Sequence, residues 1–315
     1  MMRGLAIADL HMRDAFFNEL YKFAQKDKNI LLLSDDFGAP SLDKFREKLS
    51  QQYFNVGIAE QSMVSIAAGL SLSGKTVYLY AIVPFVTLRC YEQMKIDISS
   101  MNLSVNAIGV GAGYAYGAAG PTHHAVEDIA AMRVLPNFTI YNPSDANMAA
   151  ALAEISYKTK GPKYIRFDRG KLPILYDKKE KFSDGLSVIC EASDYWIIAS
   201  GTMVYHAIEI KQELEKKNID IGIIDLYRLK PVNTKLLLKT IKSTKGIVTL
   251  EEHNIQGGLG SIIAEILFDE NMLIPLKRIG IEEKYCFNYG DREYLQTVSG
   301  LDVKNVTEKI MKWAR

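Results

Sequence analysis

Apolar runs short enough for single strands alternate along the chain with segments whose apolar positions recur at helical spacing. Asn29–Ser34 is largely continuous in apolar residues, Thr76–Val83 is β-branched and aromatic, and Leu103–Val110, Phe138–Tyr141 and Lys163–Phe167 repeat the strand pattern. Between them, Gln61–Ser73 sets Val64, Ala67, Ala68 and Ser71 on a helical period, and Ala125–Val134 is again helical. Strands interleaved with helices predict βαβ units and a mostly parallel sheet. From Asp168 to Asp194 the pattern lapses into Gly, Pro, Lys, Asp and Ser, which predicts a linker. The alternation then restarts with strand Tyr195–Ala199, helix Met203–Lys217, strands Ile219–Leu226 and Gly246–Leu250, and helix Ser261–Phe268. The expected fold is α/β, with two domains of mostly parallel sheet flanked by helices. Their expected bounds are 1–170 and 186–315, with a linker at 171–185.

Composition narrows the class. A chain of 315 residues, 48% of them hydrophobic, fills two cores of ordinary size. The balance of 38 basic and 37 acidic residues removes any simple charge argument for a nucleic-acid partner. Cys90, Cys190 and Cys286 stand apart, with no CxxC pair. That pattern suits a reducing compartment and gives neither a disulfide framework nor a structural zinc site. Met1–Leu10 has no basic segment followed by an apolar stretch, so no signal peptide is expected. No run reaches the roughly 18 apolar residues of a membrane span. The expectation is a cytoplasmic protein that holds no metal of its own.

One motif match fails on its context. Gly69-Leu-Ser-Leu-Ser-Gly74-Lys75-Thr76 fits the phosphate-binding pattern GxxxxGK[ST]. That mechanism needs a strand before the loop and a helix after it. Here the order is reversed, and Gly74 reads as a helix C-cap. Gly109-Val-Gly-Ala-Gly113 lacks GxGxxG spacing and reads as a strand running into a loop. More informative is Asn55-Val-Gly-Ile-Ala-Glu60-Gln61, where one carboxylate sits at the entrance to a helix. Read locally, Glu60 complements the positive end of the helix dipole, an effect of about 0.3–1 kcal/mol.

Glu60 keeps company that adds a second reading. The blocks Gly57–Gln61, Pro84-Phe85 with Arg89 and Glu92-Gln93, and Gly120-Pro-Thr-His123-His124 occur in order. Asn142-Pro-Ser-Asp145, Arg166-Phe-Asp-Arg169-Gly170 and Glu251–Gly258 follow. Together they resemble the pyrimidine-binding and C-terminal domains of transketolases and 1-deoxy-D-xylulose-5-phosphate synthases, over nearly the whole chain. The resemblance implies thiamine diphosphate with Mg²⁺, and a transferase that moves a two-carbon ketol unit between sugars or sugar phosphates. It implies that Glu60 hydrogen-bonds N1′ of the cofactor's pyrimidine in a dry site, as catalytic and cofactor-binding residue, and that Phe85 stacks on that ring. Arg89 is similar to an arginine of the synthase branch and joins the cofactor set. His123 reaches the substrate, where it moves a proton or holds a hydroxyl. Arg169 binds the sugar phosphate through its guanidinium fork, and Arg13 is a second candidate for that task. Phe85 and Tyr80 also have an ordinary reading as core aromatics, and Arg89 as an ion-pair partner near Glu60 or Glu92.

Two departures from the family pattern carry weight. Ala119 stands where transketolases have an Asp that reads a substrate hydroxyl, which points to a deoxy, branched or otherwise unusual sugar. The Gly-Asp-Gly and following Asn that hold the metal and diphosphate are absent. A carboxylate and amide set is what a diphosphate-bound divalent ion needs. The resemblance therefore implies a separate N-terminal transketolase subunit that supplies this set, an α2β2 assembly, and Mg²⁺ held mainly by that partner. Three alternatives stay open: synthase-like decarboxylative condensation, the β subunit of a 2-oxo acid dehydrogenase, and a non-catalytic paralogue that binds another subunit.

Overall fold

The protein is described from a computed structural model, of which residues 6–314 are described. The chain divides into two units, Ala6–Ala112 with Ala131–Phe182, and Gly113–Ala130 with the chain from Ser183 onward.

In chain order the first half carries α1 (Met12–Ala24), β1 (Ile30–Ser34), α2 (Pro40–Lys48), β2 (Tyr53–Asn55), α3 (Glu60–Leu72) and β3 (Thr76–Ile82). Two single turns follow, α4 (Val83–Val86) and α5 (Tyr91–Gln93), and then β4 (Val105–Val110) and the short α6 (Asp128–Arg133). The run ends with β5 (Thr139–Tyr141), α7 (Ala146–Lys158) and β6 (Lys163–Phe167). Strands β5-β6-β4-β3-β1-β2 lie side by side, all parallel. Every residue of β1, β4 and β6 is buried, as expected of a parallel sheet covered on both faces. On one face α1 buries Met12, Phe16, Leu20 and Ala24 at intervals of four residues. Phe16 packs its ring 5.3 Å from Phe167 and 6.1 Å from Tyr78.

Local chemistry sets the element ends. Asp145 caps α7 by accepting from the Met148 N–H at 2.8 Å. Its other oxygen accepts from the N–H groups of Leu175 and Tyr176, both at 2.9 Å, and so ties down the segment after β6. Gly74, at φ +85°, takes the chain out of α3 just before β3. The glycine-lysine match is therefore a helix end followed by a strand, the reverse of a phosphate-binding loop.

The second unit carries β7 (Ser187–Cys190), β8 (Tyr195–Ala199), α8 (Met203–Glu215), β9 (Ile221–Asp225) and β10 (Arg228–Lys230). It continues with α9 (Thr234–Ile241), β11 (Gly246–Asn254), α10 (Leu259–Asp269), β12 (Leu276–Ile281), α11 (Arg292–Val298) and α12 (Val303–Trp313). Its sheet runs β12-β11-β8-β9-β7 and is parallel apart from β7, which pairs antiparallel with β9. The stretch read as irregular up to Asp194 thus contains a strand. β7 is a short edge strand with only partial burial, so its sequence shows neither a long apolar run nor clean alternation. At the start of α10 the buried carboxylate of Glu251 accepts from the N–H groups of Leu259 (2.6 Å) and Gly260 (2.8 Å). A Cβ at Gly258 would lie 2.0 Å from that carboxylate, so the glycine there serves close packing at a helix start.

Candidate functional site

Within the first unit, three of the predicted site residues meet. Glu60 is the first residue of α3 and only 3% exposed. Its Oε1 accepts from Nη1 of Arg89 at 2.5 Å. The guanidinium carbon of Arg89 stands 3.6 Å from the centroid of the Phe85 ring. One cation thus pairs with a buried acid and covers an aromatic face. Gln61 steadies the arrangement by donating from Nε2 to the Arg89 carbonyl at 3.2 Å. Phe85 lies on the single turn α4 rather than at the end of a strand, because Pro84 begins a helical turn directly after β3.

The unpaired backbone N–H groups at the start of α3 favour an anion at residue 60. Arg89 adds a full charge from a side chain that is itself 40% exposed. Beside them, Cys90 is pushed up to about 12 by burial first and then by the charge of Glu60, so it stays a neutral thiol.

A further acid belongs to this region. Asp35 follows β1, is 5% exposed, and accepts from the Phe37 N–H at 3.0 Å. Burial, with smaller contributions from the charges of Glu60 and Asp36, pushes its carboxyl up to about 6. The Phe37 hydrogen bond and Arg89 pull the other way. Asp35 was not among the residues expected from the sequence. The available signal was an acid pair placed directly after the C-terminal end of a buried parallel strand, where open α/β sheets gather their polar groups.

Arg13 and Arg169 lie outside that trio. Arg13, on α1, pairs with Asp14 (3.0 Å) and donates to the Tyr80 hydroxyl at 3.3 Å. Tyr80 is fully buried in β3, stacked on Phe37 and edge-on to Phe17, which is the geometry of a core aromatic. Arg169 is exposed just beyond β6, and its backbone N–H donates to Asp168 Oδ1 at 2.5 Å.

His123 belongs to the second unit, on the segment Gly113–Ala130. Its Nδ1 is 2.9 Å from the Thr122 hydroxyl, and its ring lies 6.0 Å from that of Tyr116. The adjacent His124 points elsewhere: it is buried, edge-on to Tyr114, with Nε2 2.8 Å from the Gly117 carbonyl. His124 is thus buried, while His123 is only half-buried. Ala119 is exposed at the end of a single 3₁₀ turn, Gly117–Ala119. Among the described residues, no group of three or more His, Cys, Asp or Glu side chains is arranged to hold a metal ion. Nor is any helix long and apolar enough to cross a membrane.

Known proteins match along the whole length. Residues 8–174 match the family model of the transketolase pyrimidine-binding domain, and residues 185–306 that of the transketolase C-terminal domain. An apulose-4-phosphate transketolase subunit from Phocaeicola vulgatus is 34% identical over 306 residues, which is 96% of this chain and 97% of the relative. A 6-deoxy-6-sulfo-D-fructose transketolase subunit of a Clostridium species is 32% identical, covering 94% of this chain and 92% of its own length. Among solved structures, a split-gene transketolase described as an inactive beta4 tetramer superposes with a TM-score of 0.87 at 32% identity, over 96% of this chain and 98% of that one.

Proposed function

The chain belongs to the transketolase family, and from that premise we propose that it is the subunit of a split enzyme that supplies the acidic group of the active site. The enzyme transfers a two-carbon ketol unit between sugars or sugar phosphates and works only with a second subunit. We divide the chain into a pyrimidine-binding domain (1–170), a linker (171–185) and a C-terminal domain (186–315). The observation that carries the reading is the burial of a lone glutamate at the head of α3, beside an aromatic ring and a partly exposed arginine.

When bound, thiamine diphosphate supplies a nucleophilic carbon able to carry the ketol unit. The residues present suit its pyrimidine half. Glu60 holds a proton at ring N1′, and its burial excludes competing water. Phe85 offers a ring face for stacking, and Arg89, which covers that face here, is exposed enough to swing aside. His123 orients the sugar or moves its proton at a hydroxyl oxygen, while Arg169 and Arg13 bind the anionic end of the substrate. Mg²⁺ and the diphosphate go to the partner subunit, in an α2β2 assembly, because this chain has no Gly-Asp-Gly set to grip them.

An exposed apolar surface supports the partner. Ile58 is 79%, Ile66 47% and Leu72 66% exposed along and just before α3. Exposed apolar side chains of this size on one helix and the turn before it suit a face that a second subunit would cover. For the sugar, Ala119 in place of the usual Asp points away from the common ketoses. The names of the relatives, which specify apulose 4-phosphate and 6-deoxy-6-sulfo-D-fructose, agree with that choice. The three isolated cysteines suit the cytoplasm.

The test is reconstitution. The chain alone should bind thiamine diphosphate and Mg²⁺ very weakly by calorimetry. With a partner that carries the diphosphate motif, it should bind both and transfer ketol units in a screen of ketose donors. Tight binding by the isolated chain would contradict the division of labour. Decarboxylation of a 2-oxo acid, or no turnover of any donor, would contradict the chemistry.

A further inference from the structure

The loop that carries His123 is tied to itself and to the C-terminal part of its own unit. Its ends close on themselves: Gly113 and Ala125 exchange two backbone hydrogen bonds, of 3.0 and 2.9 Å. Further anchors come from residues more than a hundred positions later. Gly113, at φ +58°, sits so close to the Glu252 carboxylate that a Cβ there would lie 1.9 Å from Oε2. Glu252 is buried and fixed from the other side, accepting from Arg292 Nε at 3.0 Å and from Gln296 Nε2 at 2.6 Å. Arg292 and Glu252 also form a second, very short contact through Nη2, which donates to the Thr202 hydroxyl as well, at 2.9 Å. Gly117 rests on the backbone before α11: a Cβ there would stand 2.6 Å from the Gly290 carbonyl. The buried hydroxyl of Tyr114 is 3.0 Å from that of Ser299, at the far end of α11.

These anchors share one element. α11 begins at Arg292, which locks Glu252 under Gly113. It is preceded by Gly290, which backs Gly117, and it is followed by Ser299, which holds Tyr114. A helix of two turns thus fixes the arm of the loop that leads to Ala119 and His123. We propose that α11, with the Glu252–Arg292 pair and Ser299, is the positioning device for the substrate loop, so that the C-terminal half of the chain sets how well the sugar is handled. The proposal rests on the assignment of His123 to the substrate. Ser299, Arg292 and Glu252 act through the loop and touch no reactant. A misplacement of about 1 Å costs on the order of a hundredfold in rate where geometry governs the step.

The experiment uses the reconstituted two-subunit enzyme with Ser299→Ala, Tyr114→Phe, their double variant, and Arg292→Lys. Each is measured for kcat and KM with the ketose donor that the enzyme turns over, for thiamine diphosphate affinity by calorimetry, and for amide hydrogen exchange across residues 114–124. Ser299→Ala and Tyr114→Phe should each lower kcat/KM about tenfold, and the double variant no further, because both remove the same bond. Arg292→Lys, which keeps the charge and loses the fork, should do at least as much. Exchange over 114–124 should quicken in all of them, while cofactor affinity stays within twofold. Unchanged exchange and unchanged kcat/KM would overturn the proposal, as would a loss of cofactor affinity equal to the loss of activity. His123→Ala, run alongside, separates the two ideas: if it is fully active while exchange in Ser299→Ala quickens, the anchoring of the loop by α11 stands and the role of His123 falls.

Discussion

The Glu60 cluster and the His123 loop are built by opposite means. The first is assembled from consecutive βα elements, with Glu60 at the head of α3 and Arg89 and Phe85 a few residues past β3. Charge holds it: a buried carboxylate, a partly exposed guanidinium and a helix N-terminus. The second is held chiefly by close packing against groups far away in sequence. Two glycines press against a buried carboxylate and a carbonyl, and one tyrosine reaches a serine 185 residues away in sequence. A site made of neighbours tolerates change around it and depends on its chemical groups. A loop set by distant packing tolerates a change of chemical group better than a single added methyl.

The sharpest way to break that contrast is to remove the charge at residue 60. Glu60→Gln keeps the size of the side chain and can still accept from Arg89, but cannot exchange a proton. Ketol transfer by the reconstituted enzyme should fall by about 10³-fold or more. The melting temperature should barely move, since the arginine left without a charged partner reaches solvent. A variant with more than a tenth of the original rate would place the chemistry elsewhere.

The glycines supply the second test. Gly113→Ala puts a methyl group 1.9 Å from Glu252 at a backbone angle of φ +58°. Strain and overpacking together should cost about 2–4 kcal/mol in urea denaturation. Gly57, three residues before Glu60, has a similar angle, φ +73°, but nothing within 4 Å of an added Cβ. Gly57→Ala should therefore cost only about 1 kcal/mol, the backbone term alone. Equal losses for the two would mean that close packing does not hold the loop.

The same contrast explains what the sequence disclosed. The parallel sheet was legible because β1, β3 and β4 are buried and largely apolar runs, and α3 because its small residues keep a helical period. Helices α1 and α7 went unread, although α1 buries Met12, Phe16, Leu20 and Ala24 on one stripe. Glu60, Arg89 and Phe85 were grouped by the family resemblance, and their motifs sit on adjoining elements. Glu251, Glu252 and His253 were visible as a block, but nothing local says that Glu252 faces Arg292 and Gly113, because that meeting depends on tertiary packing. Asp35 was hidden for a related reason. Its shifted carboxyl is a product of burial, and burial of a polar side chain does not announce itself in a one-dimensional pattern.

Asp35 also gives the smallest and most specific expectation, one that separates the charged cluster from the packed loop. Its carboxyl is held at about 6 against an ordinary value of 3.8. The folded state therefore binds the proton more tightly than the unfolded state does. Between those two values the folded protein carries more of this proton, so stability falls as pH rises through the window. The contribution is fully present below the unfolded value and lost above the folded one. Asp35→Asn removes the titration and keeps an oxygen for the Phe37 N–H. Its stability curve should be flatter between pH 4 and pH 6, leaving the variant more stable than the parent at pH 7, by on the order of 1 kcal/mol after solvent screening. Ser299→Ala, which carries no charge, should shift the whole curve without changing its slope. Parallel curves for Asp35→Asn and the parent would show that this acid already ionises freely in the fold, and the Glu60 region would lose its claim to be the electrostatically strained half of the comparison.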